Sequence, residues 1–289
     1  MRKGIILAGG KGSRLCPLTL PITKQLLPVY DKPMIYYPLS TLLDLNIDNI
    51  LIIVNERDKA QFKSLLGDGK DLGIKISYKT QNKPNGIAEG LILAEEFLNG
   101  SKCVFILGDN LFIGPIAQNI LKQEIFESEG ATIFTCTVND PERYGVVRLN
   151  NNNEPIEIKE KPKKYISNHA ITGLYFYDEN APNIAKSLKP SKRNELEITD
   201  VNKYYLENKI LKIKKLDDSV TWLDAGTIDS LYEASSLVAA IEKRTGKKIG
   251  CIEEICLNNH KINLNQLATV RSKYGSSDYG KYLDNLLNN

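Results

Sequence analysis

The sequence predicts an α/β protein with a mixed, mostly parallel central sheet and a small helical appendage at its C-terminal end. Three observations predict it. Short apolar, β-branched runs alternate with segments of helical period between residues 4 and 107. Closely spaced strand candidates follow between residues 131 and 178. Residues 251–289 then carry Leu and Ile at helical intervals with few strand signals.

The first strand candidate is GIILA at 4–8, which runs into a glycine-rich turn. ILIIV at 50–54, IKISY at 74–78 and CVFIL at 103–107 follow, and two of these are continuously apolar, as buried parallel strands are. Between them, residues 34–46 place Leu39, Leu42, Leu43 and Asn46 at helical spacing, and residues 86–98 do so with Ile87, Leu91, Ala94 and Leu98. The β-α-β-α-β order implies right-handed crossovers with helices on both faces. ATIFTCTV (131–138), YGVVRL (144–149), PIEIKEK (155–161) and AITGLYFYD (170–178) are separated by short gaps and read as a mixed or antiparallel extension. Helical stretches near 180–188, 197–207 and 228–243 and a strand near 211–217 complete the body.

A chain of 289 residues with 42% hydrophobic and 25% charged residues is long enough for a substantial core and needs no disulfides. The net charge of +3 is too small for a nucleic-acid coat or a membrane surface. The apolar run from Gly4 to Gly10 is too short for a signal peptide or a transmembrane span, so a cytoplasmic location is expected. Cys16, Cys103, Cys136, Cys251 and Cys256 form no CxxC, and only His169 and His260 could assist them in a metal site. Most of these thiols are expected to be small buried hydrophobes.

The sharpest local signal is LAGGKGSRLCPLT, Leu7 to Thr19. Gly9, Gly10 and Gly12 after a buried strand let the backbone turn tightly and turn its N–H groups toward phosphate oxygens. The spacing is neither a dinucleotide fingerprint nor a Walker A loop. Arg14 just beyond has the fork to grip a phosphate, and Lys24 follows in PITKQLLPV. The plain alternative is a tight structural turn with a solvated arginine. Asp109 in GDN and Asp224 in WLDAGT lie beside strand-like runs and are suited to share a hard cation such as Mg²⁺. Each alone also reads as a turn or cap residue. Glu160 and Lys161 in the basic run KEKPKK offer a carboxylate for sugar hydroxyls and an ammonium for phosphate, or a solvated charge run. Gln81, in TQNKPNGIAEG, carries the paired donor and acceptor of an amide, which suits a nucleobase edge.

In order along the chain, Gly9, Gly10, Gly12, Arg14, Leu15, Pro17 and Thr19 match the pattern GGxGxRLxPxT, followed by TKQLLPV, YYPLSTL, GDN, YGVV, EKP, ITGLYFYD, ELEITDVN and WLDAGT. In these motifs the chain resembles the sugar nucleotidyltransferases, and most closely the members that join dTTP and α-D-glucose 1-phosphate into dTDP-glucose and pyrophosphate. The resemblance implies a Rossmann-like three-layer nucleotidyltransferase fold. Its core spans 1–243, with a nucleotide-binding part over about 1–125 and a sugar-phosphate part over about 126–243. Residues 244–289 form a C-terminal helical region for packing or oligomerisation. It also implies site roles. Leu7, Gly9, Gly10, Gly12, Ser13 and Arg14 hold the triphosphate, with Lys24 and Gln25 beside them, and Gln81 and Gly86 read the base. Asp109 and Asp224 hold Mg²⁺. Asn110, Tyr144, Gly145, Glu160, Lys161, Ile171 and Arg193 serve the sugar phosphate, and Arg14, Lys24, Asp109 and Lys161 carry the transfer. A homotetramer with a second, feedback nucleotide site is implied as well.

The chain departs from the family pattern at Glu89 and Gly90, where a glutamine-alanine pair is usual, and at Asn194 and Ala225. Glu89 adds a negative charge near the nucleotide, so a UTP-using enzyme is the nearest alternative, and a non-catalytic nucleotide sensor or scaffold is the alternative of another class.

Overall fold

The structure is a computed structural model, and it describes residues 2–83, 85–121 and 129–288. The expected boundary near residue 125 lies outside the described residues.

In chain order the first half contains β1 (Lys3–Ala8), the short pair β2 (Pro28–Val29) and β3 (Lys32–Pro33), α1 (Tyr36–Asp44), β4 (Asn49–Val54), α2 (Lys59–Leu66) and β5 (Lys75–Thr80). Then come α3 (Glu89–Leu93), α4 (Glu95–Leu98), β6 (Cys103–Leu107), β7 (Asn110–Ile113) and α5 (Ile116–Leu121). The second half holds β8 (Ala131–Thr137), β9 (Gly145–Leu149), β10 (Pro155–Glu160), β11 (His169–Tyr177), α6 (Ala181–Ser187), α7 (Ile198–Glu207), β12 (Leu211–Lys215), β13 (Thr221–Asp224) and α8 (Ile228–Thr245). The tail consists of α9 (Ile252–Asn258), α10 (Leu264–Arg271) and α11 (Asp278–Asn288).

The nine-stranded sheet runs β10-β9-β11-β6-β1-β4-β5, with β8 joined to β11 and β12 to β8. β1 pairs in parallel with both β4 and β6, and β4 with β5. β11 pairs antiparallel to β6, β8 and β9. The sheet is therefore mixed: the first part of the chain supplies a parallel half, and the second a mostly antiparallel one in which only β12 joins β8 in parallel.

Strand alternation divides the core into two layers. Ile6, Ile50, Ile52, Val54, Val104 and Ile106 face one cluster, which α1, α2 and the tail complete. Ile5, Leu51, Ile53, Cys103 and Phe105 face the other, under α3, α4, α6 and α7. Helices thus cover both faces, which is why these strands read as continuous apolar runs. The segment expected as one helix at 86–98 is two short helices that meet at Ala94. The tail packs on the body: Cys251, Ile252, Cys256, Leu267, Tyr279 and Leu283 join the cluster around α1. Residues 36–43 of α1 are buried throughout, as a helix wedged between sheet and tail must be. Of the thiols, Cys103, Cys251 and Cys256 are buried, Cys136 is half-buried and Cys16 is exposed. Among the described residues no helix is long and apolar enough to cross a membrane.

A third, smaller cluster positions the site. Leu231, Ala234 and Val238 of α8 pack with Leu111 and Ile113 of β7, Ala225 and Leu15. α8 starts at a capping box in which the Thr227 hydroxyl accepts from the Ser230 N–H at 3.2 Å and the Ser230 hydroxyl accepts from the Thr227 N–H at 3.0 Å. That cap holds the segment between Asp224 and the helix.

Candidate active site

The glycine loop follows β1, Gln81 follows β5 and Asp109 stands just beyond β6, so three candidate elements leave the carboxyl ends of neighbouring parallel strands. An open α/β sheet forms its ligand crevice at such ends. In the loop, Gly12 has a φ of 62°, the left-handed region that glycine enters without steric cost. The Gly12 carbonyl accepts from the Leu15 N–H and from the Thr19 hydroxyl, both at 2.9 Å. Leu15 is itself buried in the third cluster. The residues after the glycines therefore hold the loop's shape. A β-carbon on Gly9 would come within 2.3 Å of Gln81 Oε1, so the base-reading candidate and the loop are in direct contact. Space around Gly10 is open for 4 Å. Ser13 and Arg14 begin a short 3-10 turn and are exposed.

β7 and β13, too short to be anticipated as strands, form an antiparallel ribbon in which Asp224 faces Asn110. The Ala225 N–H donates to the Asp109 carbonyl at 3.0 Å. Residues facing each other in such a pair have Cα atoms about 5 Å apart, so Asp109 and Asp224 meet at one end of the ribbon. Both line one cleft, with Arg14, Tyr144, Glu160, Lys161 and Ile171. A β-carbon on Gly226 would sit 2.8 Å from Asp224 Oδ1 and 2.9 Å from Arg14 Nη2. Glycine at 226 thus lets the arginine and the carboxylate approach the same point.

Lys24 and Gln25 are buried beneath the loop, and the Lys24 ammonium is ion-paired with Asp109 Oδ2. Burial alone would raise the Asp109 pKa, but the charge and hydrogen bond of Lys24, helped by Asn110, hold it below the ordinary value. Asp224 goes the other way. Burial first, and the negative charge of Asp109 second, raise it to about 6, against the pull of Lys24, Arg14 and Arg143. One carboxylate is ion-paired with a cation of the protein, and the other is buried beside it with its pKa raised. This donor set fits a hard divalent cation. Among the described residues no group of three or more His, Cys, Asp or Glu could hold a metal. Mg²⁺ needs only one or two protein carboxylates and keeps its other positions for water and phosphate.

Asn110 is buried, and its amide is engaged on three sides. Oδ1 accepts from the Gly173 N–H at 2.9 Å and from Trp222 Nε1 at 2.6 Å, and Nδ2 donates to Asp109 Oδ1 at 3.1 Å. Its place is to lock β7, β11 and β13 around Asp109.

The other wall of the cleft is built on β9, β10, β11 and α7. Thr199 donates to Glu160 Oε2 at 2.5 Å. Lys161 Nζ stands 3.9 Å from Glu160 Oε1, and Arg193 Nη2 stands 3.5 Å from it. Lys161 has a φ of 41°, and its N–H donates to the Tyr144 carbonyl at 2.9 Å. A lysine in the left-handed region carries a steric cost of about 1–2 kcal/mol, and here that backbone turns the residue at the rim of the cleft. Tyr144 packs edge-on against Trp222 with ring centroids 5.1 Å apart. Burial, then the charge of Asp224, raises its hydroxyl to about 12, so it is a neutral donor at ordinary pH. Gly145 and Ile171 line the same space. Arg193 stands outside this lining and reaches it through Glu160; Glu197 Oε2 at 2.7 Å and Glu195 Oε2 at 3.3 Å also hold it.

Gly86 lies on the bridge between the two walls. The Leu196 N–H donates to the Asn85 carbonyl at 2.7 Å, and the Ala88 N–H donates to the Leu196 carbonyl at 3.0 Å. Leu7 is the last residue but one of β1, with its δ-carbon 3.4 Å from the position of a Gly90 β-carbon. Sequence reasoning did not single out Arg143, Gly173 or Thr199, which also line the cleft. Arg143 stands directly before Tyr144, and Thr199 lies inside ELEITDVN, so motif neighbourhood was the available signal.

A cleft that brings basic side chains and two carboxylates to a strand-end glycine loop is suited to anionic ligands. Residues 3–241 match the family described as Nucleotidyl transferase. The glucose-1-phosphate thymidylyltransferase of Neisseria meningitidis serogroup A is 48% identical over 285 residues, 99% of each chain. That of Mycolicibacterium smegmatis is 46% identical, again over 99% of each. A crystal structure of a Bacillus anthracis protein, described as a glucose-1-phosphate thymidylyltransferase in complex with sucrose, superposes with a TM-score of 0.76 at 43% identity, covering 82% of this chain and 95% of that one. With the site's geometry and full-length relatives in accord, the chain belongs to the nucleotidyl transferase family.

Proposed function

We propose that the protein transfers the thymidylyl group of dTTP to α-D-glucose 1-phosphate, giving dTDP-glucose and pyrophosphate, with Mg²⁺ at Asp109 and Asp224. The observation that carries this reading is the meeting of those two carboxylates with Arg14 and Lys24 at the glycine loop, facing a second wall that holds Glu160 and Lys161. The sugar-phosphate oxygen forms a bond to the α-phosphorus, the bond from that phosphorus to the bridging oxygen breaks, and pyrophosphate leaves with the electron pair. The attacking oxygen is already charged, so no strong base is needed. What the reaction needs is cations that offset the repulsion between two anions and hold them in line. Arg14 at the mouth of the loop neutralises charge on the α-phosphate and the departing group. Lys24 holds Asp109 ionised. Lys161 meets the sugar phosphate, and Glu160 accepts from sugar hydroxyls. When bound, Mg²⁺ supplies Lewis-acid stabilisation of the phosphoryl oxygens.

The test is to incubate the protein with glucose 1-phosphate, Mg²⁺ and dTTP or UTP, and to follow pyrophosphate release. The expected result is turnover with dTTP. Turnover with UTP alone assigns a uridylyltransferase, and none with either, alongside tight nucleotide binding, assigns a sensor. The same reading includes a cytoplasmic homotetramer, which sedimentation equilibrium giving a monomer would overturn.

A further inference from the structure

Asn202 is fully buried on α7, on the face that also buries Ile198, Val201 and Tyr205. An amide is a poor helix former and is costly in a core unless both its ends find partners. Its oxygen has one, because the Tyr177 hydroxyl donates to Oδ1 at 2.6 Å. Tyr177 is buried too, stacked on the rings of Tyr175 and Tyr205 with centroids 5.8 and 5.7 Å apart. Burial raises its pKa and keeps the hydroxyl protonated. Among the described residues Asn202 Oδ1 is the sole acceptor bonded to that proton, so the amide cannot turn over without stranding it. Nδ2 is thereby fixed in place, buried, with no hydrogen-bond partner among the described residues. Asn202 lines the cleft beside Gly145, Glu160, Tyr175 and Thr199. Thr199 lies one helical turn before it on the same face of α7, and Thr199 donates to Glu160 Oε2 at 2.5 Å. The unpaired donor therefore belongs to the same stretch of wall as the carboxylate assigned to sugar hydroxyls.

We infer that Asn202 Nδ2 is a specificity-determining donor to the oxygen of one hexose hydroxyl, and that Tyr177 is the positioning residue that aims it. This deepens the reading of the second wall as a sugar-phosphate site, and it rests on that reading. A hydroxyl donates one proton and accepts on its oxygen. Glu160 can only accept, and the Thr199 proton is taken up by Glu160. A hydroxyl read by the carboxylate alone would bring an unsatisfied oxygen to this wall, and the Asn202 amide supplies the missing donor. A sugar without that hydroxyl leaves the buried amide unpaired, so the contact discriminates against it.

The experiment measures kcat and KM for α-D-glucose 1-phosphate and for its 2-, 3-, 4- and 6-deoxy analogues in the wild type, Asn202→Ala and Tyr177→Phe. In the wild type, losing the hydroxyl that Asn202 meets should lower kcat/KM by about tenfold or more. Asn202→Ala should raise the KM for glucose 1-phosphate about fivefold or more and leave the KM for dTTP in place. It should also shrink the penalty for that one analogue by about the same factor, while the other analogues keep theirs. Tyr177→Phe removes one oxygen, keeps the ring stack and frees the amide to turn over. It should shrink the penalty at the same analogue by about twofold or more. An unchanged profile in Asn202→Ala, or an equal rise in the KM for dTTP, would overturn the inference. So would an equal loss for every sugar, which marks a structural or water-binding amide. A Tyr177→Phe profile identical to the wild type overturns it as well, and decides it alone if Asn202→Ala does not fold. If the wild type turns over glucose 1-phosphate and the variants give one of these results, this inference alone fails. If the wild type does not turn it over, the reading beneath it fails too.

Discussion

Asp109→Asn is expected to lower kcat/KM for nucleotidyl transfer by about three orders of magnitude or more, roughly 4 kcal/mol of transition-state stabilisation. The substitution keeps the shape and the bond from Asn110, but it removes a carboxylate that two systems share. One is the buried ion pair with Lys24, and the other is the proposed Mg²⁺ site with Asp224. Removing one partner of a buried pair leaves the other charged and desolvated, which costs about 3–5 kcal/mol. A lower melting temperature is therefore expected together with lost turnover. Circular dichroism at the assay temperature separates the two by showing that the variant is still folded. Near wild-type kcat/KM at limiting Mg²⁺ would remove Asp109 from the transfer.

Asp224→Asn is expected to lower turnover by about a hundredfold or more while stabilising the metal-free protein at neutral pH. The sign follows from the raised pKa, about 6 against an ordinary 3.8. Below about pH 3 the group is neutral in both folded and unfolded chains, and it costs nothing. As pH rises toward about 6, the unfolded chain ionises first, and the folded state is progressively penalised for a buried carboxylate beside Asp109. Above that the cost is complete, and a pKa raised this far corresponds to a cost on the order of 1–3 kcal/mol. The neutral Asn abolishes it, so the metal-free variant should melt higher than the wild type at about pH 7–8 and equally near about pH 3. Adding Mg²⁺ should raise the wild-type melting temperature and leave the variant unmoved. A variant that melts lower at about pH 8 and still responds to Mg²⁺ would refute both the electrostatic account and the metal assignment. The same residue thus joins activity to instability, a common arrangement at sites that gather like charges.

The parts of the fold legible in the sequence are those where burial dominates local pattern. β1, β4 and β6 are apolar on both faces because helices cover both sides of the sheet, and their β-branched runs were readable without partners. The tail helices were readable from period alone, although the face on which they pack was not; only the assembled core places Cys251, Leu267 and Leu283 against α1. α2 escaped notice because its buried residues are only Phe62 and Leu66. The break at Ala94 escaped because both short helices share one apolar face.

The site divides in the same way. Residue types, strand-end glycines and motif order singled out the candidate side chains: Gly9, Gly12, Arg14, Lys24, Asp109, Glu160, Lys161 and Asp224 were named from the chain itself. Tertiary structure decided how they are charged and coupled. The Lys24–Asp109 pair, the repulsion on Asp224, the locked Asn110 and the Tyr177 bond to Asn202 all arise where separate segments meet, as when Trp222 donates to Asn110 across 112 positions. A side chain's identity is local, but its pKa, rotamer and partners follow from what lies within a few ångströms in space, and sequence order does not encode that distance.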